Sequence, residues 1–308
     1  MKIAIIGAGG VGGYFGGCLA RGGADTTFIV RGRTLEALRS RGLRVDSIKG
    51  DFLIPRVKAT DDPSEVGPVD AVIVTVKAWQ VPEVAGQIKP LIGADTAVVP
   101  LENGMESPDH LAAALGEQHV LGGLCGIVAF AVEPGHIRHI GADPFVMFGE
   151  RDNRPSERTA KLREAFLAAG VGAEIPPDIN RSMWTKFLFI AGMSGIGSAA
   201  RVPVGVWRAQ PETRSLAVRL LGEILAVAAA RGVMLDSNAI QLTLDRYDGL
   251  PPESTSSLQR DVMEGKPSEL DAQVGAVVRM AREAGIDAPV CETLYSVLLP
   301  QERKARAV

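Results

Sequence analysis

The chain is poor in the features that mark secreted, metal-bound or membrane proteins. Its 308 residues include only three cysteines, Cys18, Cys125 and Cys291. They are odd in number, widely spaced and without a Cys-x-x-Cys pair, which argues against a disulfide framework or a thiolate metal site and for idle thiols in a reducing compartment. His136 and His139 lie three apart in an extended run and so point to opposite faces, a poor metal pair; no metal site is expected. No apolar run reaches the roughly 18 to 20 residues of a membrane span. With 33 basic and 36 acidic side chains the net charge is only -3, which gives no general electrostatic reason to bind nucleic acid or an anionic membrane. A soluble cytoplasmic protein with a small-molecule partner is expected, and a homodimer is left open. There is no internal repeat and no low-complexity tract.

Glycine, by contrast, is abundant where it matters. Lys2 to Ile6 is a short apolar, β-branched run of the kind a parallel sheet buries on both faces, and it leads directly into Gly7-Ala-Gly9-Gly10-Val11-Gly12. A helical stretch containing Tyr14, Phe15, Leu19 and Ala20 follows. In a strand, turn and helix of this order, Gly7 allows the sharp turn, Gly9 lets the backbone approach a pyrophosphate, and Gly12 lets the helix pack on the strand. The amides of Gly10 and Val11 belong to the helix start that faces the phosphates. A flexible glycine-rich segment does not account for the strand in front of it. A secretory or lipoprotein leader ending at Cys18 is disfavoured because glycines interrupt the apolar centre such a leader needs.

Further strands are expected at Asp25 to Val30, Asp70 to Val76 and Thr96 to Val99, with a helix over Thr34 to Arg41 and extended pieces around Leu43 to Ile48 and Phe52 to Val57. His119 to Val132 and His136 to Gly149 read as strands at the far edge of the same sheet. The alternation predicts an α/β fold with an N-terminal doubly wound Rossmann-type parallel sheet. After Ser156 to Ala169, Pro176-Pro177 breaks the chain. Helical spacing then dominates: Leu216, Leu220, Ile224 and Val227 before Gly232, and Leu270, Val274, Val277 and Ala281 in Ser268 to Ala284. Two domains are predicted, residues 1–176 binding the dinucleotide and an all-helical substrate domain over 177–308. The tail after Pro300 is expected to fray.

Enzymes that prefer the non-phosphorylated cofactor place an acidic residue at the end of the second strand, about 20 residues past the glycines, to hold the ribose 2′-hydroxyl. Here Arg31 stands there, 19 residues after Gly12. A guanidinium at that place pairs with a 2′-phosphate, favouring NADP(H) over NAD(H) or FAD, unless it is simply a solvated surface arginine. Lys186 lies on the apolar face made by Ile179, Met183, Phe187 and Ile190. Its ammonium either snorkels to water or points into a cleft where it can protonate a carbonyl oxygen. Glu269 follows Ser268 at the start of a helix, where the dipole alone favours an acid. Asn103, after the Thr96 to Val99 strand, sits where open α/β sheets bind ligands, although Asn-Gly is also simply a turn.

Together these residues resemble the ketopantoate reductases (2-dehydropantoate 2-reductases). The resemblance runs over essentially the whole chain. It is carried by Gly7 to Gly12, Lys77-Ala-Trp-Gln80, Glu102-Asn-Gly-Met105, Gly135-His-Ile-Arg-His-Ile-Gly141, Trp184-x-Lys186, and Ser256-Ser-Leu-Gln-x-Asp261 leading to Glu269. It implies NADPH-dependent reduction of a 2-oxo acid, ketopantoate to pantoate, the step that supplies pantothenate and coenzyme A. By the same resemblance Lys186 is the general acid, Glu269 the carboxylate that works with it, Asn103 and Ser257 polar contacts to substrate and cofactor, Lys77 a residue near the cofactor, and Arg31 the 2′-phosphate contact. One departure bears on substrate. Where the family carries asparagines four and eight residues after the lysine, this chain has Ile190 and Ser194. Ser194 can replace part of the lost hydrogen bonding; Ile190 cannot. Reduction of another 2-oxo or 3-oxo acid, or a cofactor-sensing protein without turnover, are the alternatives.

Overall fold

A computed structural model describes residues 1–307 of the chain. The chain forms two compact units, residues 1–102 with 107–179, and residues 103–106 with those from 180 onward.

The first unit is built on a five-stranded sheet in which every pairing is parallel. Its strands are β1 (Lys2–Ile6), β2 (Asp25–Ile29), β5 (Lys58–Thr60), β6 (Val69–Val74) and β7 (Ile92–Pro100), in the order β5-β2-β1-β6-β7. The chain fills one side of β1 and then crosses to the other, so the switch point falls at the C-terminal ends of β1 and β6, where such sheets take ligands. Ile3 and Ile5 in β1 and Ala71 and Ile73 in β6 are fully buried, which is why these strands read as continuous apolar runs.

A second sheet contains β3 (Leu43–Ser47), β4 (Phe52–Ile54), β8 (Leu121–Glu133), β9 (His136–Glu150) and β10 (Gly172–Glu174). Its order is β10-β9-β3-β4, with β8 on β9. The long runs on either side of Pro134-Gly135 were expected to extend the parallel sheet, and they do not. Gly135, at φ +79°, lets the chain reverse, and the two strands satisfy each other as an antiparallel ladder. A backbone bridge between Val98 and Val120, just before β8, links this hairpin to β7.

The Gly10–Arg21 helix lies between the two sheets, and its glycines form two stripes. A Cβ on Gly12 would stand 2.1 Å from the Gly7 carbonyl oxygen, and one on Gly16 2.6 Å from the Phe28 ring, both on the parallel sheet. On the other side, a Cβ on Gly13 would come within 2.5 Å of Ile137 and one on Gly17 within 3.0 Å of Leu43, both on the second sheet. Each stripe repeats at four residues, the spacing of one helix face. The two sheets thereby share one core containing Ile5, Phe15, Phe28, Leu43, Ile137 and Phe148.

The second unit is helical. Its principal helices are Ile179–Ala200, Pro211–Ala230, Ala239–Gly249, Ala276–Ala284 and Pro289–Arg306. They bury Trp207, Leu221, Ile224, Tyr247, Val277 and Cys291. The first of them starts in the other unit, where the Asn153 side-chain carbonyl accepts the Ile179 N–H at 3.0 Å. Two expectations need correction. The helix expected from Ser268 begins instead as a π turn over Asp271–Gly275, and the α-helix proper starts at Ala276. The tail past Pro300 does not fray, because the helix continues to Arg306 and buries Glu302. That carboxylate accepts hydrogen bonds from the Ser268 N–H at 3.0 and 3.1 Å and from its hydroxyl at 2.5 Å, and pairs with Arg306 at 2.6 Å. These bonds offset the loss caused by a proline that cannot donate to the helix ladder.

Glu302→Ala is expected to destabilise the protein by about 2 to 4 kcal/mol, since it strands the buried Ser268 donors. Urea unfolding measures this, and a change below about 0.5 kcal/mol, the level of an ordinary surface substitution, would contradict the anchoring role.

Candidate active site

The glycine turn sits at the switch point. Gly7 has φ +91°, a conformation that glycine adopts without strain, and its N–H donates to the Ile29 carbonyl at 3.0 Å. Beside it, the Thr75 hydroxyl lies within hydrogen-bond reach of the Ile6 and Gly7 carbonyls, at 2.9 and 3.0 Å, and fastens the end of β6 to the turn. The helix begins at Gly10, and Gly9, Gly10 and Val11 retain solvent exposure. A Cβ on Gly9 would meet nothing within 4 Å, whereas one on Gly10 would stand 2.2 Å from the Ala129 carbonyl oxygen. The turn therefore has open space in front of the helix N-terminus, where unpaired N–H groups and the positive dipole end favour an anion.

Arg31 ends the segment after β2 and precedes the Gly32–Arg41 helix. Its guanidinium reaches Glu83 at 3.3 Å, with both side chains more than half exposed, a contact of little energetic weight that a stronger anion can displace. Lys77 opens a turn that Gln80 closes, the Gln80 side-chain oxygen accepting the Lys77 N–H at 3.1 Å. The Lys77 ammonium stands 5.7 Å from the Trp79 ring centre, within cation–π range. Sequence reasoning assigned no role to Thr75 or Glu83. Thr75 carried a signal, as a polar residue at the end of an apolar strand; Glu83 is near Arg31 only through the fold.

The remaining predicted residues belong to the helical unit. Lys186, Phe189 and Ile190 lie half-buried on one stripe of the Ile179–Ala200 helix, whereas Ser194, a turn further on, is completely enclosed. Among the described residues, no hydrogen bond engages the Lys186 ammonium, the Asn103 amide or the Ser257 hydroxyl, and the buried Ser194 hydroxyl has no partner. Asn103 and Gly104 follow β7 in sequence but pack with the helical unit: a Cβ on Gly104 would lie 2.9 Å from the Ala272 carbonyl oxygen. Glu269 is buried just before the π turn, its carbonyl accepting the Gln273 N–H at 3.0 Å. Ser257 opens a short helix that Ser256 caps by accepting the Gln259 N–H at 3.1 Å.

The two histidines have separate partners. His136 pairs with Asp46 at 2.8 Å, and buried His139 meets the Ser47 hydroxyl at 2.8 Å. Asp46 is held down to a pKa of about 2, chiefly by the hydrogen bond from Arg44 and then by that from His136. Among the described residues, no group of three or more His, Cys, Asp or Glu side chains could hold a metal ion, and no helix is long and apolar enough to cross a membrane.

A parallel sheet with a glycine turn at its switch point, followed in the same chain by a helical unit, defines a Rossmann-type protein with a helical C-terminal region. Comparison with known proteins narrows this. The family profile described as ketopantoate reductase PanE/ApbA matches residues 3–153, and its C-terminal counterpart matches residues 178–302. The uncharacterized oxidoreductase YkpB of Bacillus subtilis (strain 168) is 36% identical over 301 residues, spanning 97% of this chain and 98% of that protein. A 2-dehydropantoate 2-reductase of Nostoc sp. is 29% identical over 96% of this chain and 94% of its own length. The crystal structure of a PanE/ApbA family ketopantoate reductase from Ralstonia eutropha JMP134 superposes with a TM-score of 0.90 at 30% identity, covering 99% of this chain and 100% of the other. This chain belongs to the ketopantoate reductase family.

The glycines separate folding from ligand binding. Gly12→Ala is expected to cost about 2 to 3 kcal/mol, because the added carbon meets backbone that cannot move aside. Gly9→Ala is expected to cost less than about 1 kcal/mol, the scale of a helix-cap change. Equal urea midpoints for the two variants would contradict the assignment.

Proposed function

We propose that this chain is an NADPH-dependent reductase that converts a 2-oxo acid to the 2-hydroxy acid, with ketopantoate as substrate and pantoate as product. The observation that carries the reading is Lys186, a cation without a partner among the described residues, half-buried on a helix of a ketopantoate reductase family member.

The glycine turn suits a dinucleotide, since open space lies before Gly9 and the helix start there favours an anion such as a pyrophosphate. Arg31, whose present partner is Glu83, is the residue that would hold a 2′-phosphate, and Lys77 is assigned to the neighbourhood of the cofactor. When bound, the reduced nicotinamide supplies the hydride to the carbonyl carbon. Lys186 gives a proton to the carbonyl oxygen as it takes on alkoxide character, which completes the 2-hydroxy acid. Glu269 is assigned the carboxylate that orients this ammonium. Asn103 and Ser257 are assigned hydrogen bonds to bound groups.

A second reading is favoured by Ile190, one turn beyond Lys186. Its side chain offers no hydrogen bond, so a different 2-oxo or 3-oxo acid with an apolar substituent fits that place better. Following NADPH absorbance against a panel of 2-oxo and 3-oxo acids separates the two, and cofactor binding without oxidation by any of them would leave only a sensor.

Two substitutions test the residues. Lys186→Ala is expected to lower kcat by about 10²- to 10⁴-fold, the worth of one positioned acid, while NADPH affinity stays as it was; full turnover in this variant rules the role out. Arg31→Ala is expected to weaken NADPH binding by about 1.5 to 3 kcal/mol, the worth of a charged hydrogen bond, with NADH binding little altered. Equal losses for both cofactors in a fluorescence titration would remove the 2′-phosphate assignment.

A further inference from the structure

Arg279, in the Ala276–Ala284 helix, centres a polar cluster that the proposed reaction does not use. Its Nε and Nη2 donate to the two oxygens of Glu106, at 3.1 and 2.6 Å. Nη1 donates to the Asp271 carboxylate and Nη2 to the Asp271 main-chain carbonyl, each at 2.9 Å. The Tyr295 hydroxyl donates to the same Asp271 carboxylate at 2.8 Å. A planar guanidinium can serve three acceptor groups in this way, and the forked bond to Glu106 fixes direction as well as distance. The Glu106 bond is the largest of the influences that raise the Arg279 pKa further, so the charge is permanent.

The cluster joins two stretches that the sequence separates widely. Glu106 ends the segment 103–106, which packs with the helical unit and carries Asn103. Asp271 opens the π turn, in which Gly275 donates to the Leu270 carbonyl at 3.0 Å, directly after Glu269. Turns of this kind are rare within helices and are often found at functional sites. This one is held from outside. Arg279 binds the Asp271 carbonyl, Gly104 abuts the Ala272 carbonyl, and a Cβ on Gly275 would stand 2.7 Å from the Tyr295 ring.

We infer that Arg279 is a positioning residue that pins the Asn103–Gly104 segment to the π turn and so sets the Asn103 amide against the Glu269 carboxylate. The inference rests on the reductase reading, in which those two groups meet the reactants. Without the clamp, the segment keeps its chain connection but loses the forked bond that orients it.

The test compares Arg279→Ala, Arg279→Lys, Glu106→Gln and the exchanged pair Arg279→Glu with Glu106→Arg, each assayed where circular dichroism shows it folded. Arg279→Ala is expected to lower kcat/KM for the acid by about 10- to 100-fold, the range for a small misplacement of reacting groups, with NADPH affinity unchanged. General loosening of the fold would not produce that split. Arg279→Lys should recover little, because an ammonium cannot make the fork, and the exchanged pair should recover part of the loss. A folded Arg279→Ala enzyme with wild-type kcat/KM overturns the role, as does an equal loss of cofactor affinity. Should Arg279→Ala fail to fold, Glu106→Gln decides by the same criteria, since it leaves Arg279 bound to Asp271. An inactive wild-type protein overturns the reductase reading and this role together, whereas an active wild type with indifferent variants overturns the clamp alone.

Discussion

The first unit depends on how closely the Gly10–Arg21 helix can approach backbone on both of its sides. Glycine inside a helix costs about 0.5 to 1 kcal/mol relative to alanine, and this helix contains Gly12, Gly13, Gly16 and Gly17. The cost is offset because the helix serves two sheets at once. The stripe of Gly12 and Gly16 admits the Gly7 carbonyl and the Phe28 ring, and the stripe of Gly13 and Gly17 admits Ile137 and Leu43. One helix of ordinary width therefore fills the space between layers and leaves its N-terminus at the end of β1, open in front of Gly9. The same close approach that seals the core leaves room for a ligand at the turn.

In the helical unit, polar contacts do the corresponding work. Glu302 fastens the end of the last helix to Ser268, and Arg279 fastens the start of the π turn to Glu106. Glu269 lies between these two anchors in sequence. Glu269 is buried, and these two charge-assisted networks fix the backbone on both sides of it.

Much of this was legible in the residues. Strands β1, β2 and β6 were readable because central parallel strands bury both faces and so appear as unbroken apolar runs, and Gly7 to Gly12 could be assigned because they follow such a run. The second sheet was not legible. β8 and β9 alternate poorly, carry Gly126 and Gly141, and join whichever partner completes their hydrogen bonds, which periodicity does not reveal. Gly13 and Gly17 went unread because the fingerprint accounts only for the contact with the first sheet, and Gly16 because it lies beyond the fingerprint's last glycine. Pro300 misled because the loss of one ladder bond is outweighed by the Glu302 anchor 34 residues away in sequence at Ser268. Arg279 and Glu106, 173 residues apart, carry no sequence sign of each other.

Within the proposed reaction, the surroundings of Lys186 bear on which acid is taken. Lys186 shares a half-buried stripe of its helix with Phe189 and Ile190, and a charge in a partly apolar setting interacts more strongly with an oxyanion than it would in bulk solvent. In the proposed reaction, apolar neighbours of this kind favour both binding of an acid and transfer of a proton to its forming alkoxide. They also set a penalty. A substrate hydroxyl facing Ile190 loses water and gains no partner, at about 1 to 3 kcal/mol, whereas a methylene there gains about 0.8 kcal/mol. The difference amounts to roughly 20- to 600-fold in preference at about 1.4 kcal/mol per tenfold. Ser194 cannot easily recover it, because its hydroxyl is fully enclosed one turn deeper in the helix. On these magnitudes the side chain at Ile190 weighs more on substrate choice than on the proposed reaction itself, in which proton transfer is assigned to Lys186.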